Sequence, residues 1–472
     1  MNFKLIFKSL KFKDMRNRVL GVLGIFLIFR FLAHVPVPLA DPTALKDVLG
    51  QAVNSSQLGG FLNLLTGGAL ANFSIVLVGM SPYITASIVV QLLTKAVPKL
   101  EEIHRDGESG RRKIQQWTRR ITLPLAIFQS VAYIFILRST VLSGATALGD
   151  MDLMQWVIAV TAMTAGAMLL MWMGEIITEK GIGNGMSLLI FAGIIAQIPQ
   201  TFGSMISALT TDVTEESALH IFNWFTIYID ALTFWILLVI GIISLGVIYF
   251  LVKINEGQRI VTINYAKRVH GNSQYGGIKS ILPIKLITAG VIPVIFAVAF
   301  LALPAFIGQL LVASGSESLR SMGENLTLWF QTPSTTTFAL GVDWTMFIYP
   351  AAYFFLVVGF TYFYTSIVFN SDEIAENLQK QGGFIAGMRP GSDTAKYLKR
   401  IVTRLTLFGS IALGIISILP FVAEYIFAIT GSSITNLAVG GTGLLIVVSV
   451  ALESLRQLNS RALMVAYDEY EA

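Results

Sequence analysis

Apolar stretches of about twenty residues follow one another along this chain, separated by short polar gaps. Ten of them stand out, at 19–40, 73–97, 121–140, 153–173, 185–201, 232–252, 285–308, 345–370, 402–420 and 435–455. About twenty apolar residues in helical form cross a hydrocarbon core of roughly 30 Å. The pattern therefore predicts an all-α membrane protein with ten transmembrane helices. Ten spans divide into five plus five. With an odd number per half, the second half sits inverted relative to the first, as in inverted-topology repeats with a central pathway. No residue-level repeat stands out, so the symmetry rests on the count alone.

Charge orients the array. Of the 33 Lys and Arg residues, 29 fall at the N-terminus, in the even-numbered gaps or at the C-terminus. The other four are Arg30, Lys46, Arg138 and Arg320. Positive charge stays in the cytoplasm, so both termini are expected to face inward. The expected organisation is an amphipathic cytoplasmic leader at 1–18, a first five-helix half at 19–201 and an outward connection at 202–231. A second half follows at 232–455, with cytoplasmic loops 253–283 and 371–404, and then a tail at 456–472. The leader reads as a retained surface segment rather than a cleaved signal, because no A-x-A-like site follows an over-long apolar run.

Composition narrows the chemistry. Only 13% of residues are charged, about half the share in a soluble domain. The formal net charge of +5 suits anionic lipid headgroups, and acidic or RNA-rich partners in part. The absence of cysteine excludes disulfides and thiolate chemistry. The glycines near residues 107–113 and 181–185 lack the spacing of phosphate-binding or dinucleotide loops. The four histidines lie far apart, at His34, His104, His220 and His270, so no metal or cofactor is expected. Among charged residues only Arg30 lies deep in a span, and it reads as a structural charge near the outer interface. Ion-coupled transporters carry acidic or histidine relays within their spans, and this chain offers none.

Three connections carry more than a turn requires. Residues 59–72 are apolar, bounded by glycines and too short to span. They read either as an interfacial re-entrant turn or as a half-helix folded back into the protein. Irregular backbone at membrane depth is tolerated only inside protein or along a wet cavity. Residues 260–265 alternate as short strands do, which predicts a hairpin reaching into the cytosol. Residues 372–378 read as a helix, Gly387-Met388-Arg389-Pro390-Gly391 breaks it, and 396–404 resumes a helical pattern.

Several ordered segments are distinctive together. They are Leu65-Thr66-Gly67-Gly68-Ala69-Leu70, Gly79-Met80-Ser81-Pro82-Tyr83-Ile84-Thr85-Ala86-Ser87-Ile88, and Asp106-Gly107-Glu108-Ser109-Gly110-Arg111-Arg112-Lys113. Gly181-Ile182-Gly183-Asn184-Gly185-Met186-Ser187, Asn264-Tyr265-Ala266-Lys267-Arg268, Ala289-Gly290-Val291-Ile292-Pro293 and Met388-Arg389-Pro390-Gly391 complete the set. In this order they resemble the SecY/Sec61-alpha family, whose bacterial members form the channel of the Sec protein translocase.

The resemblance implies two five-helix halves around an hourglass pore with an aliphatic waist. That waist would be Met80, Ile84, Ile190, Ile295 and Ile446, with Met80 where the family places isoleucine. The segment with Gly60, Phe61, Leu64, Leu65, Thr66, Gly67 and Gly68 would plug the outer funnel. A lateral gate between the second and seventh spans would include Ile88, Gln91, Thr288 and Ile292. Ile287 stands where the family has asparagine. Arg259, Lys267, Arg268 and Arg389 would dock the ribosome or the motor ATPase SecA, with Ile260 replacing a family arginine. Implied partners are SecE, SecG, signal peptides, nascent chains and the lipid bilayer. The implied location is the bacterial plasma membrane, and the implied role is a passive conduit rather than an enzyme. The alternatives are a ten-span secondary transporter, which would need a polar midplane site, and a non-conducting scaffold, which would need no plug.

Overall fold

The computed structural model describes residues 12–38, 63, 66–136, 152–210, 218–221, 225–265, 268–270, 273–275, 279–312, 316–333, 343–430 and 437–471. Most of the leader lies outside these residues, as do Gly60, Phe61, Leu64, Leu65 and Lys267.

Among the described residues, the first part of the chain holds six helices: α1 (Lys13–Leu32), α2 (Ser81–Ala96), α3 (Pro98–Arg105), α4 (Glu108–Ile136), α5 (Leu153–Lys180) and α6 (Gly185–Thr210). An antiparallel pair follows, β1 (Ala218–Ile221) with β2 (Phe225–Asp230). Next come α7 (Ala231–Glu256), β3 (Gln258–Tyr265), β4 (Arg268–His270), β5 (Ser273–Tyr275) and β6 (Lys279–Lys285). Then come α8 (Ile292–Val312), α9 (Glu317–Phe330), a 3₁₀ turn at Trp344–Phe347 and α10 (Ile348–Val368). The last elements are α11 (Ser371–Lys380), β7 (Gly383–Ile385), α12 (Ser392–Thr430) and α13 (Leu437–Glu471). Each of the ten apolar stretches overlaps one helix of this series.

Among the described residues, seven helical segments are long and apolar enough to cross a bilayer. Their surfaces are as apolar as their interiors. The window in α7 has a mean hydropathy of 2.7, yet only 6% of it is buried within the chain. Trp235, Ile242, Leu245 and Phe250 on it are exposed. In water such a face would be an aggregation site. In a bilayer the hydrocarbon covers it, and the helix satisfies its own backbone.

Two predicted spans begin before their helices do. The apolar run from 73 starts as buried, irregular backbone, and α2 begins only at Ser81. Here Val37 N–H donates to the Phe73 carbonyl at 2.9 Å and Ile75 N–H to the Val35 carbonyl at 3.0 Å. These bonds satisfy backbone that no helix serves, and Ser74, Val76 and Leu77 are fully covered. The run from 285 likewise begins with a turn ahead of Ile292.

The two long loops expected on the cytosolic side join. Strand β3 pairs antiparallel with β6 on one side and with β7 on the other, giving the order β6-β3-β7. Val261, Ile284 and Ile385 on the sheet pack on Leu398, Ile401 and Val402 of α12. The predicted hairpin thus supplies two strands of a three-stranded sheet that the second loop completes. Helix α9 and the β1–β2 pair were not anticipated. Helix α9 seats against α8 where Gly308 meets Gly323: a Cβ on Gly323 would lie 2.6 Å from the Gly308 carbonyl oxygen.

Candidate functional site

Ile84, Ser87 and Gln91 share a face of α2, spaced by three and four residues as helical neighbours must be. That face lines a cavity of about 190 Å³ together with Gln115 of α4, Glu175 of α5, Ile190 of α6, Ile292 and Ile295 of α8, and Tyr364 of α10. Helices from both parts of the chain therefore wall one space. Its lining is mixed: Ile84, Ile190, Ile292 and Ile295 are aliphatic, and Ser87, Gln91, Gln115, Glu175, Asn184 and Ser187 are polar.

Of the five expected waist residues, Met80, Ile190, Ile295 and Ile446 are buried members of one apolar cluster, and Ile84 packs against it. Ile84, Ile190 and Ile295 also border the cavity directly. A peptide strand occupies a cross-section of about 4.7 by 10 Å. At about 190 Å³ the cavity is too small for a threaded segment of more than one or two residues, so passage of an extended chain requires its lining to part.

The expected gate residues sit on both sides of one seam, because α2 contacts α8. Ile88 is buried, and Gln91 donates through Nε2 to Ser87 Oγ at 2.9 Å on its own helix. Gln91 Oε1 is buried and has no hydrogen-bond partner among the described residues. Thr288 turns elsewhere: its hydroxyl donates to Thr365 Oγ1 on α10 at 3.3 Å. Ile287, in the family's asparagine position, is buried in the main apolar cluster. The seam is therefore mostly apolar, with Gln91 as its polar point on α2.

The described part of the expected plug is a tight turn. Gly68 N–H donates to the Asn63 carbonyl at 2.8 Å, and Asn63 Oδ1 accepts from Ala71 N–H at 2.9 Å. Gly67 and Gly68 hold φ values of 66° and 90°, which L-residues with a side chain rarely adopt. They also permit close approach. A Cβ on Gly67 would lie 3.0 Å from Gly193 Cα on α6, and one on Gly68 would lie 2.8 Å from Gln197 Nε2. Arg30 donates through Nη1 to the Gly67 carbonyl at 2.6 Å. The lone deep charge of α1 is thus a clamp on this turn, a role its position in the sequence marked only as structural.

A second polar element was not legible at all. Glu175 is only 5% exposed, and it accepts from Arg119 Nε at 2.7 Å and from Gln115 Nε2 at 3.1 Å. A buried carboxylate needs such a partner. The partner lies 56 residues away on α4, so no local spacing could have announced it.

Of the expected docking residues, Arg259 on β3 and Arg389 in the loop after β7 are exposed. Arg268 begins β4. Thr394 Oγ1 donates to the Arg389 carbonyl at 2.9 Å and fixes that turn. Ile260 is exposed beside Arg259.

The comparisons agree with this geometry. The family model named SecY matches residues 74–455. The protein translocase subunit SecY of Mycobacterium bovis is 38% identical over 467 residues, covering 98% of each chain. That of Streptomyces coelicolor is 37% identical over 459 residues, covering 96% of each. Among solved structures, one described as a protein-conducting channel aligns with a TM-score of 0.58 at 18% identity, over 93% of this chain and 91% of the other. A SecY structure described by its plug domain, which stabilises the closed state of the translocation channel, aligns with a TM-score of 0.59 at 18% identity and the same coverage. The Sec61 channel of a canine ribosome complex aligns with a TM-score of 0.55 at 17% identity, over 93% of this chain and 91% of that one. The chain belongs to the SecY family.

Proposed function

We propose that this chain is the central channel subunit of a bacterial protein translocase. It would conduct unfolded secretory polypeptides across the plasma membrane and release apolar segments sideways into it. The observation that carries this reading is the meeting of Ile84, Ile190 and Ile295, from three helices, around one cavity. Met80 and Ile446 extend the same apolar cluster. A narrow apolar constriction wets poorly and opposes ions. Flexible aliphatic side chains, Met80 included, fit around a chain of any sequence.

The hydropathy pattern supports ten spans, and the charge pattern supports both termini inside. An apolar signal helix entering between α2 and α8 would bind only a parted seam, and so would shift the closed–open balance by mass action. The turn clamped by Arg30 would seal the outer side. Arg259, Lys267, Arg268 and Arg389 would receive a ribosome or SecA, with SecE and SecG as companion subunits. Work would come from these partners, because the chain is read as a conduit and not an enzyme.

A photo-crosslinking residue in place of Ile84 should capture a stalled secretory chain in membranes. Failure to form that adduct, together with uptake of a small solute, would reverse the reading in favour of a transporter.

A further inference from the structure

Lys396, Lys399, Arg400 and Arg404, with Thr403 between them, are all exposed and lie on one face of α12. The spacing of three, four and eight residues from Lys396 requires a shared face. They line an open groove of about 450 Å³. Some exposed cations elsewhere have carboxylates: Lys380 meets Glu376 at 2.8 Å, Arg112 meets Glu108 at 2.7 Å, and Arg18 meets Asp14 at 2.9 Å. Among the described residues no carboxylate comes within ion-pairing distance of the four on α12.

The same helical face then changes character within one turn. Leu407, Phe408, Ile411 and Ile415 follow Arg404 on it, and all are exposed, Phe408 by 72%. Three residues of helix rise only about 4.5 Å. A face that passes so abruptly from cations to uncovered apolar side chains is crossing from water into hydrocarbon, and its cations stand at the level of the headgroups. Long basic side chains reach that layer from either side.

We propose that this stripe on α12 is a binding site for the phosphate headgroups of anionic phospholipid. Charge complementarity and direct continuity with the lipid-facing surface favour lipid over an RNA phosphate. A nucleic acid would have to enter the headgroup layer to reach a stripe that runs directly into exposed apolar side chains. Each cation near an anionic surface is worth roughly a fivefold gain in local affinity.

The test uses the full-length chain in mild detergent. Native mass spectrometry counts retained phosphatidylglycerol, with phosphatidylcholine as the neutral reference. The K396Q/K399Q/R400Q/R404Q variant is expected to lower phosphatidylglycerol retention at least tenfold relative to phosphatidylcholine. The charge-preserving variant K396R/K399R/R400K/R404K and the displaced control R259Q/R389Q are expected to retain it. If the fourfold variant does not fold, R400Q/R404Q and K396Q/K399Q are measured separately, and each is expected to lower retention at least threefold. Unchanged retention overturns the proposal. So does an equal loss in R259Q/R389Q, which would reflect net charge alone. Unchanged lipid retention with a tenfold loss of ribosome co-sedimentation in phosphatidylcholine nanodiscs overturns it in favour of an RNA-docking surface.

Discussion

The starts of α2 and α8 are built alike and held differently. Gly79 and Gly290 have φ values of 62° and 63°. Each is followed three residues later by a proline in the first helical turn, Pro82 and Pro293, where the missing N–H costs nothing. Each is followed five residues later by an isoleucine that borders the central cavity, Ile84 and Ile295. Four residues before each glycine, a carbonyl is covered by a glycine of another helix: Ile75 by Gly166 of α5, and Leu286 by Gly409 of α12. This is the residue-level repeat that the proposed inverted halves lacked.

The neighbours differ. At α2, a Cβ on Gly79 would lie 2.9 Å from Thr66 Cγ2, in the turn that Arg30 clamps. At α8, a Cβ on Gly290 would meet only Glu453 Oε2, at an ordinary 3.5 Å. The residues ahead of α8 are tied to the three-stranded sheet instead, through Leu286 N–H on the Gly257 carbonyl at 2.8 Å. One local device thus has two settings. The start of α2 is packed tightly on the turn at Thr66–Gly68, and the start of α8 has room at Gly290. Of the two sides of the seam, α8 is therefore expected to be the more mobile.

The largest expected effect lies on the tight side. A Cβ on Gly166 would overlap the Ile75 carbonyl oxygen, a backbone atom with no rotamer to escape by. Gly166→Ala should cost about 3 kcal/mol or more through overpacking, read as a lower thermal midpoint in detergent and reduced accumulation. Gly79→Ala comes next. Left-handed backbone costs about 1–2 kcal/mol for a residue with a Cβ, and contact with Thr66 adds to it. The double variant Thr66→Ser/Gly79→Ala removes the offending Cγ2, so it should recover roughly 1 kcal/mol and leave the strain. No recovery would mean that Thr66 does not press on this start.

The sequence made the spans legible because hydropathy over twenty residues is a strong signal, and each of the ten runs meets a helix. It misjudged where α2 and α8 begin, because residues 73–80 are as apolar as a helix yet are bonded to Val35 and Val37. Hydropathy reports burial, and it is blind to backbone shape. Motif resemblance marked Gly79, Gly290 and their isoleucines, but the pairing of Gly166 with Ile75 and of Gly409 with Leu286 exists only in three dimensions. The same holds for Glu175 with Arg119. The β7 strand escaped notice because three residues carry no period of their own, and their partner β3 lies in another loop.

On the slack side the effects should shrink. A Cβ on Gly409 would lie 2.7 Å from the Leu286 carbonyl oxygen, which is tight but less severe than its counterpart. Gly409→Ala should cost about 1–2 kcal/mol, clearly less than Gly166→Ala. Equal costs would remove the asymmetry.

Gly290→Ala should have the smallest cost, about 1 kcal/mol, because only backbone strain is introduced. Shortening the neighbour, as in Glu453→Asp/Gly290→Ala, should recover nothing, in contrast to the Thr66 pair. A start with slack still has to reach its strained shape, and a residue that disfavours positive φ biases the segment away from it. Its signature is therefore expected in the seam rather than in stability. Crosslinking between cysteines placed at Ile88 and Ile292 should slow in Gly290→Ala and stay unchanged in Gly409→Ser, where a small side chain at the covering helix leaves φ at position 290 alone. If instead Gly290→Ala lowers the melting midpoint more than Gly79→Ala while seam crosslinking is unaltered, α8 is the rigid wall and α2 the mobile one.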